Sequence, residues 1–417
     1  MPNSESNPTV HDTFFEPLAA ALASVSSTRP CPEFPDQDWL RVGIQRVLEG
    51  SESGRGFLQE HGLRFDHCPT DNNYFASLRS LRRCELAGDV NLALVNWCKA
   101  HLPDRLADVP ELAPYECFAA DGHWHKAAAH DARHEGTKMA VGHFYSLDLR
   151  SHTLRHLAAG HGLHEHDMSA LKRVKPRGLR QGVRRGSRVL IIYDRAGIDF
   201  GYWKRCRQEC AVYFLSRVKE GMVFGFEEGR TWDKSDRRNR GVLSDWQVTT
   251  REGHLLRIVT YLDRRTGEIY EFLTNEMDLP PGVIAELYRR RWEVEKVFDE
   301  VKNKLGQKKA WASSLEAKES QAQMIAITHN LLLWYEHVLE ERHGVSNQAE
   351  DRRRAKRAAQ ANQECAQRGW PLPLLVTLPR KATQRSVKFV RWVRQALRDR
   401  LAEAAAVGHL RQLYATL

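Results

Sequence analysis

RVLIIYD, residues 188–194, is an apolar run that ends in a carboxylate. From Val189 to Tyr193 no position is polar, so neither face of such a strand can meet water, and the run predicts a central strand buried on both sides. The two stretches after it agree. IDFGYWKRCRQE (198–209) has helical spacing and CAVYFLSRV (210–218) is a second strand; strand, helix, strand is the grammar of an α/β unit. Upstream, YECFAAD (115–121) and TKMAVGHFYSLDLRSHTLRHLAA (137–159) read as short strands, with a helical stretch from Asp167. Downstream, residues 219–279 read as strands alone: GMVFGFEE, SDWQVTT, HLLRIVTYL and EIYEFLTN, joined by turns such as DRRTGE. The expectation is an all-β insertion within the α/β unit.

Two aspartates stand where those strands stop. Asp194 closes RVLIIYD and Asp121 closes ECFAAD just before a glycine, with Asp148 and Asp131 as weaker competitors. Phosphodiester chemistry with a pair of Mg²⁺ ions needs carboxylates on rigid elements, so strand-end acids facing one helix are the feature to seek. YRRRWEVEKVFDEVKNKLG (288–306) supplies that helix. Tyr288, Arg291, Glu295 and Lys302 stand at offsets 0, 3, 7 and 14, and at about 100° per residue they share one stripe. The adjoining stripe, Leu287, Val294, Phe298, Val301 and Leu305, is apolar and predicts packing on a core. Glu293 faces another direction from Glu295 and drops out.

The bulk properties limit the function classes. Of the net charge of +10, residues 351–417 carry a balance of +11 from 15 Lys/Arg against 4 Asp/Glu, and the remainder is close to neutral. A basic C-terminal unit suits nucleic acid through counterion release, or an acidic partner. The opening MPNSESNPTVHD lacks a basic region followed by an apolar stretch, and Thr328, His329 and Asn330 interrupt the apolar run 324–335, so neither a secretion signal nor a membrane span is expected. The eight cysteines, at 31, 68, 84, 98, 117, 206, 210 and 365, read as reduced cytosolic thiols. Histidines crowd two segments, His123, His125, His130 and His134, then His161, His164 and His166, without a defined ligand grammar.

At the N-terminus, residues 13–28 and 38–50 have helical spacing, and a helix near Tyr74 to Leu86 comes after a Thr70/Asp71 cap. In that helix Phe75, Leu78 and Leu81 point one way and Arg79, Arg82 and Arg83 the other, which suits either a groove-reading helix or a solvated face. A second apolar helix is expected near Ser320 to Leu339, a linker or exposed helix over 346–369, and a basic amphipathic helix in SVKFVRWVRQALRDRLAEAA (386–405).

Asp121, Asp194 and Glu295 in that order, the last inside Tyr288-x2-Arg291-x3-Glu295-x6-Lys302, resemble the DDE transposases of bacterial insertion sequences, in particular the YREK, or insertion-sequence-four, family. FLTNEMDLPPGVIAELYRRRW (272–292), with Thr274-Asn275 and Arg291-Trp292, resembles that family's approach to its catalytic glutamate. The resemblance covers roughly residues 111–343. It implies a ribonuclease-H-like α/β core, a mixed sheet flanked by helices, with the β insertion between the second aspartate and the glutamate. The implied organisation is a helical DNA-end-binding unit (1–110), the first part of the core (111–218), the insertion (219–279), the last part of the core (280–345) and a basic helical unit for dimerisation or DNA binding (346–417).

The implied activity is cut-and-paste transposition: cleavage at an element's end, a hairpin intermediate, its reopening, and joining of the 3′ end to target DNA. Asp121, Asp194 and Glu295 would ligate two Mg²⁺, with Mn²⁺ as a substitute, while Tyr288, Arg291 and Lys302 grip phosphate. Trp292 would stack on an unpaired base, with Trp232 and Trp246 as alternatives, although core packing is the expected place for Trp246. The implied partners are double-stranded DNA, as terminal inverted repeats and target, and a second copy in a synaptic homodimer, in the bacterial cytoplasm at the nucleoid. Two other readings fit the residues: a stand-alone ribonuclease-H-like metal nuclease, and a non-catalytic DNA-binding regulator derived from a transposase.

Overall fold

A computed structural model describes residues 8–415 apart from 51–52, 65–68, 135–136, 139–140, 161–164, 166, 264–265, 347 and 370–384; Cys68, His161, His164 and His166 lie outside the described residues. The first strands are β1 (Tyr115–His125), β2 (Val141–Asp148) and β3 (Leu154–Ala159). Then come β4 (Arg188–Ile192) and β5 (Val212–Arg217), and finally β6 (Gly225–Gly229), β7 (Val242–Thr249), β8 (Leu255–Asp263) and β9 (Glu268–Thr274). Among the described residues these strands form one sheet in the order β3-β2-β1-β4-β5-β9-β8-β7-β6. β1 with β4 and β4 with β5 run parallel, and the other pairs are antiparallel.

Helices cover both faces, as the run 188–194 requires. The N-terminal helices are α1 (Val10–Ser24), α2 (Asp36–Glu49), α3 (Gly54–His61), α4 (Asp71–Leu78) and α5 (Leu81–His101). Within the core lie α6 (Asp167–Arg173), α7 (Phe200–Cys210), α8 (Pro281–Arg290), α9 (Trp292–Asn303) and α10 (Leu315–His343), and the chain ends with α11 (Gln348–Gln367), α12 (Val387–Arg398) and α13 (Glu403–Ala415). On one face Cys117, Ala119, Leu190, Ile192 and Leu215 join the core built by α1, α2, α5 and α8–α10. On the other, Phe118, Val189, Ile191 and Phe214 pack on Met168 and Leu171 of α6 and Tyr202 and Trp203 of α7. This is the ribonuclease-H-like architecture, a mixed sheet between helical layers.

The polar residues that interrupt the apolar run 324–335 do not bring α10 to the surface, because each finds a partner inside. Thr328 Oγ1 bonds back to Met324 O at 2.7 Å, His329 Nε2 lies 3.0 Å from His152 O, and Asn330 bonds Asn91 and Leu154. A helix satisfied in this way can be buried all round.

Local spacing and structure part company at three places. The helix expected near Tyr74 to Leu86 is two helices, N-capped by Thr70 and by Ser80. Two of its three arginines are turned inward: Arg82 holds Asp36 with bonds of 2.6 and 2.8 Å, and Arg83 is buried 3.3 Å from the same carboxylate, while Arg79 is exposed. The helix expected over 386–405 ends at Arg398, before Arg400 at φ +45°, and its apolar side (Phe389, Val390, Trp392, Val393) is buried against the chain's own body. Core packing does not describe Trp246, which is 38% exposed on β7 and meets the exposed Phe226 edge-on at 5.7 Å.

The insertion strands extend the core sheet through β9, whose Phe272, Leu273 and Thr274 pair with Arg217, Ser216 and Leu215 of β5. The Thr274-Asn275 dipeptide seals that junction. Thr274 Oγ1 donates to Phe214 O at 2.6 Å, and Asn275 Oδ1 accepts from Phe214 N–H at 2.8 Å. Glu276 then accepts from Tyr115 Oη at 2.7 Å and from the amides of Asp278 and Leu279, which sets the turn into α8.

Candidate active site: a guanidinium among carboxylates

Parallel pairing of β1 with β4 ends at Ala119 opposite Ile192. Asp121 and Asp194 each stand two residues beyond that last pair. Side chains alternate along a strand, so both carboxylates emerge on the face of Ala119 and Ile192, which α8 and α9 cover. The expectation that Asp121 closes its strand needs correction, because β1 runs on to His125 and pairs Asp121 with Tyr145 of β2. It is β4 that stops, and the crevice opens where one strand of a parallel pair ends. There Asp194 caps a short 3₁₀ turn: its Oδ1 accepts from Ala196 N–H at 2.8 Å and its carbonyl accepts from Ser216 Oγ at 2.8 Å. No local pattern singles out Ser216, whose place is set by the pairing of β4 with β5.

The single helix expected from Tyr288 onward is also divided. Arg291 lies between α8 and α9 with helical dihedrals, but it bonds at three-residue spacing, from its N–H to Tyr288 O at 3.1 Å and from Val294 N–H to its own carbonyl at 3.2 Å. This tighter turn keeps the stripe. Arg291 Nη1 lies 2.9 Å from Asp121 Oδ2, and Nη2 lies 2.7 Å from Glu295 Oε1. One planar fork thus joins the strand carboxylate to the helix carboxylate. Tyr288 is buried, with its ring 5.1 Å from Phe272 of β9 and 5.9 Å from the Arg291 guanidinium carbon. The predicted apolar stripe is buried throughout, with Leu287, Val294, Phe298, Val301 and Leu305 in the core.

The charges of these groups act on one another. Burial pushes the Asp121 carboxyl up to about 6 against the pull of Arg291 and the Gly122 amide, and the charges of Asp194 and Glu295 push in the same direction as burial. Burial opposes the Arg291 charge, yet Asp121, Tyr288 and Glu295 hold the guanidinium above its ordinary value. Asp194 also contributes to raising the Tyr288 hydroxyl, after burial. Two strand carboxylates and one helix carboxylate, offering only oxygen, are the donor chemistry of Mg²⁺ and Mn²⁺. Among the described residues no three metal-ligating side chains already surround a common point. At this site Arg291 bridges two of the three carboxylates as a cation, so the chemistry of the residues fits a divalent ion while their present arrangement is that of an ion pair.

The remaining candidates are spread along α9 and the insertion. Trp292 is 57% exposed beside the site, its ring 5.3 Å from the Arg291 guanidinium carbon. Lys302 is exposed near the end of α9, and its charge, after burial, helps hold the His123 imidazole down at about 4. Trp232 is partly buried in the insertion. The competing acids are engaged elsewhere: Asp148 lies 2.8 Å from Lys99, Asp131 lies 3.1 Å from Lys318, and Glu293 points inward to His152 at 2.9 Å.

A family profile described as transposase DDE domain matches residues 113–331, more than half of the chain, and that span includes Asp121, Asp194 and Glu295. No curated protein matches the chain. With the fold and this match in agreement, the chain belongs to the DDE transposase family, whose substrate is DNA and whose reaction is transposition.

Proposed function

We propose that the chain is a cut-and-paste transposase of the YREK, or insertion-sequence-four, type. The observation that carries this reading is the guanidinium of Arg291 set between Asp121 and Glu295. Asp121, Asp194 and Glu295 would hold two Mg²⁺ ions, with Mn²⁺ able to substitute. Bound there, such ions supply charge neutralisation and activation of the attacking oxygen for in-line displacement at phosphorus.

Arg291 then has a second task. No longer needed as the counter-charge of two carboxylates, its planar fork is free to take a phosphate in two-point fashion. Tyr288, held by Phe272, limits where that fork can swing. Lys302, near the far end of α9, takes a second phosphate along the backbone, and Trp292 offers its open face to a base unpaired while a hairpin forms.

The division of labour runs along the chain: DNA-end binding by 1–110, catalysis by 111–218 with 280–345, the strand insertion 219–279 alongside the site, and DNA or dimer contacts by 346–417. The exposed Arg391 and Arg400 support the last assignment, and the buried apolar side of α12 points to its basic side as the working surface. Two copies would bridge two element ends in the cytoplasm. Among the described residues no helix is long and apolar enough to cross a membrane.

The test uses duplexes carrying the short inverted repeats that flank the gene. Glu295→Gln is expected to lose Mg²⁺-dependent cleavage while still binding the repeats; near-normal cleavage refutes the assignment. Cleavage by the parent chain without joining supports the stand-alone nuclease, and binding without cleavage supports the regulator.

A further inference from the structure

Four histidines lie side by side on β1, β2 and β3, next to the site but outside its chemistry. Ring centroids are 4.9 Å apart for His123 and His125, 5.1 Å for His125 and His143, and 5.3 Å for His143 and His156. The sheet register explains the row. His123 pairs with His143 across β1 and β2, and Tyr145 pairs with His156 across β2 and β3, so the imidazoles run diagonally over three strands. Phe298 of α9 covers one end, stacked on His123 at 4.9 Å.

A row of buried imidazoles in a hydrophobic core normally spends its nitrogens on hydrogen bonds. Here both nitrogens of His125, 0% exposed, and the Nε2 atoms of His123 and His143 have no hydrogen-bond partner. His143 Nδ1 and His156 Nε2 lie 3.3 Å apart, and the His156 ring also bonds to the backbone of Ala158. A hydrogen bond from a ring nitrogen prefers roughly 2.7–3.2 Å. Two nitrogens bound to one tetrahedral zinc ion at about 2.05 Å each lie about 3.3–3.4 Å apart. The observed 3.3 Å is a long hydrogen bond between the two rings and is also the spacing that two ligands of one such ion require.

We propose that His125, His143 and His156 form a site for a transition-metal dication of the zinc class, distinct from the carboxylate site and closed towards His123. The chemistry selects that class, because imidazole suits Zn²⁺, Co²⁺ and Ni²⁺ whereas Mg²⁺ takes oxygen. Burial keeps the three rings neutral, as ligands must be, by lowering their basicity. The rings do not yet converge on one point; convergence needs rotation about the soft terminal torsion of each side chain. Lys318 opposes a cation here, but it is paired with Asp131 at 3.1 Å. A filled site would tie together three strands, the first of which carries Asp121.

The test uses the full chain, stripped with a chelator and kept in excess Mg²⁺ so that the carboxylate site is satisfied. One equivalent of Co²⁺ is expected to give the visible absorption of a nitrogen-ligated tetrahedral ion, displaced by Zn²⁺. The band should persist in Asp194→Asn and vanish in His125→Ala/His156→Ala. Zinc should raise the thermal unfolding temperature of the parent and of Asp194→Asn, but not that of His143→Gln. If the histidine variants fail to fold, zinc-edge absorption of the parent decides: a shell with three or more imidazoles supports the site, and a shell of oxygen ligands alone overturns it. Absence of stoichiometric binding, or a band that survives the double variant, overturns it as well.

Discussion

Replacing Arg385 with Leu should destabilise the chain more than any surface charge deletion, and the loss should shrink in acid. Arg385 is 5% exposed, and its Nη1 lies 2.6 Å from Glu300 Oε1 and its Nε 2.7 Å from Glu336 Oε2. Its amide also donates to Glu300 Oε2 at 3.0 Å. Glu300 is 3% exposed on α9, five residues after Glu295, so the pair fastens the C-terminal unit to the back of the helix that carries the site. Burial alone would raise the Glu300 carboxyl, and Arg385 overrides it and holds the group below its ordinary value.

Removing one partner leaves a buried, uncompensated charge, which costs about 3–5 kcal/mol. A depressed carboxyl stabilises the fold above its unfolded value of about 4.3 and loses that contribution as pH falls through its lower folded value. In Arg385→Leu the same buried carboxyl keeps the residue-385 amide but loses the guanidinium, so burial raises it and it takes up a proton. The difference between parent and variant is therefore largest near neutrality and narrows as pH falls towards the ordinary glutamate range. Urea unfolding monitored by tryptophan fluorescence at neutral and acid pH measures it, and Arg385→Leu/Glu300→Leu should recover much of the loss. A loss below about 1 kcal/mol, as for an exposed pair, or one that does not change with pH, would refute the reasoning.

Gly282→Ala probes the start of α8, where an added Cβ would stand 2.1 Å from the carbonyl oxygen of Arg238. Backbone cannot yield as a side chain can, so a loss of about 1–3 kcal/mol is expected in the same denaturation assay; an unchanged midpoint would show that the 237–239 turn is free to move. Lys302→Ala should weaken DNA binding and reduce the slope of log affinity against log salt by about one, and a slope equal to the parent's would mark Lys302 as an ordinary surface lysine. Trp292→Ala should leave stability intact, because the ring is 57% exposed, and should weaken binding by about 1–3 kcal/mol only to ends with an unpaired base. Equal losses on paired and unpaired ends would exclude stacking.

The parts of the fold that are legible in the sequence are those written in local periodicity. The apolar run 189–193 can only be a strand covered on both faces, and the spacing of Tyr288, Arg291 and Glu295 places them on one stripe whether or not the helix tightens at Arg291. Contacts between distant residues decide the rest. Nothing in ECFAAD tells that β1 continues past Asp121, because the register with Tyr145 comes from another strand. Nothing near Arg82 reveals Asp36, 46 residues away. Thr274-Asn275 is visible as a resemblance, but its work, closing β9 onto Phe214 of β5, depends on the sheet order. Trp246 lies on a strand paired on both sides, and its exposure comes from the side of the sheet to which it points, which composition does not encode.

The most direct test of the central claim is anomalous scattering from the chain crystallised with Mn²⁺ and a duplex bearing an element end. The account predicts Mn²⁺ between Asp121, Asp194 and Glu295, with the Arg291 fork moved from Asp121 and Glu295 onto a phosphate of the DNA. Manganese absent from these carboxylates, or Arg291 still bridging Asp121 and Glu295 with DNA bound, would contradict it.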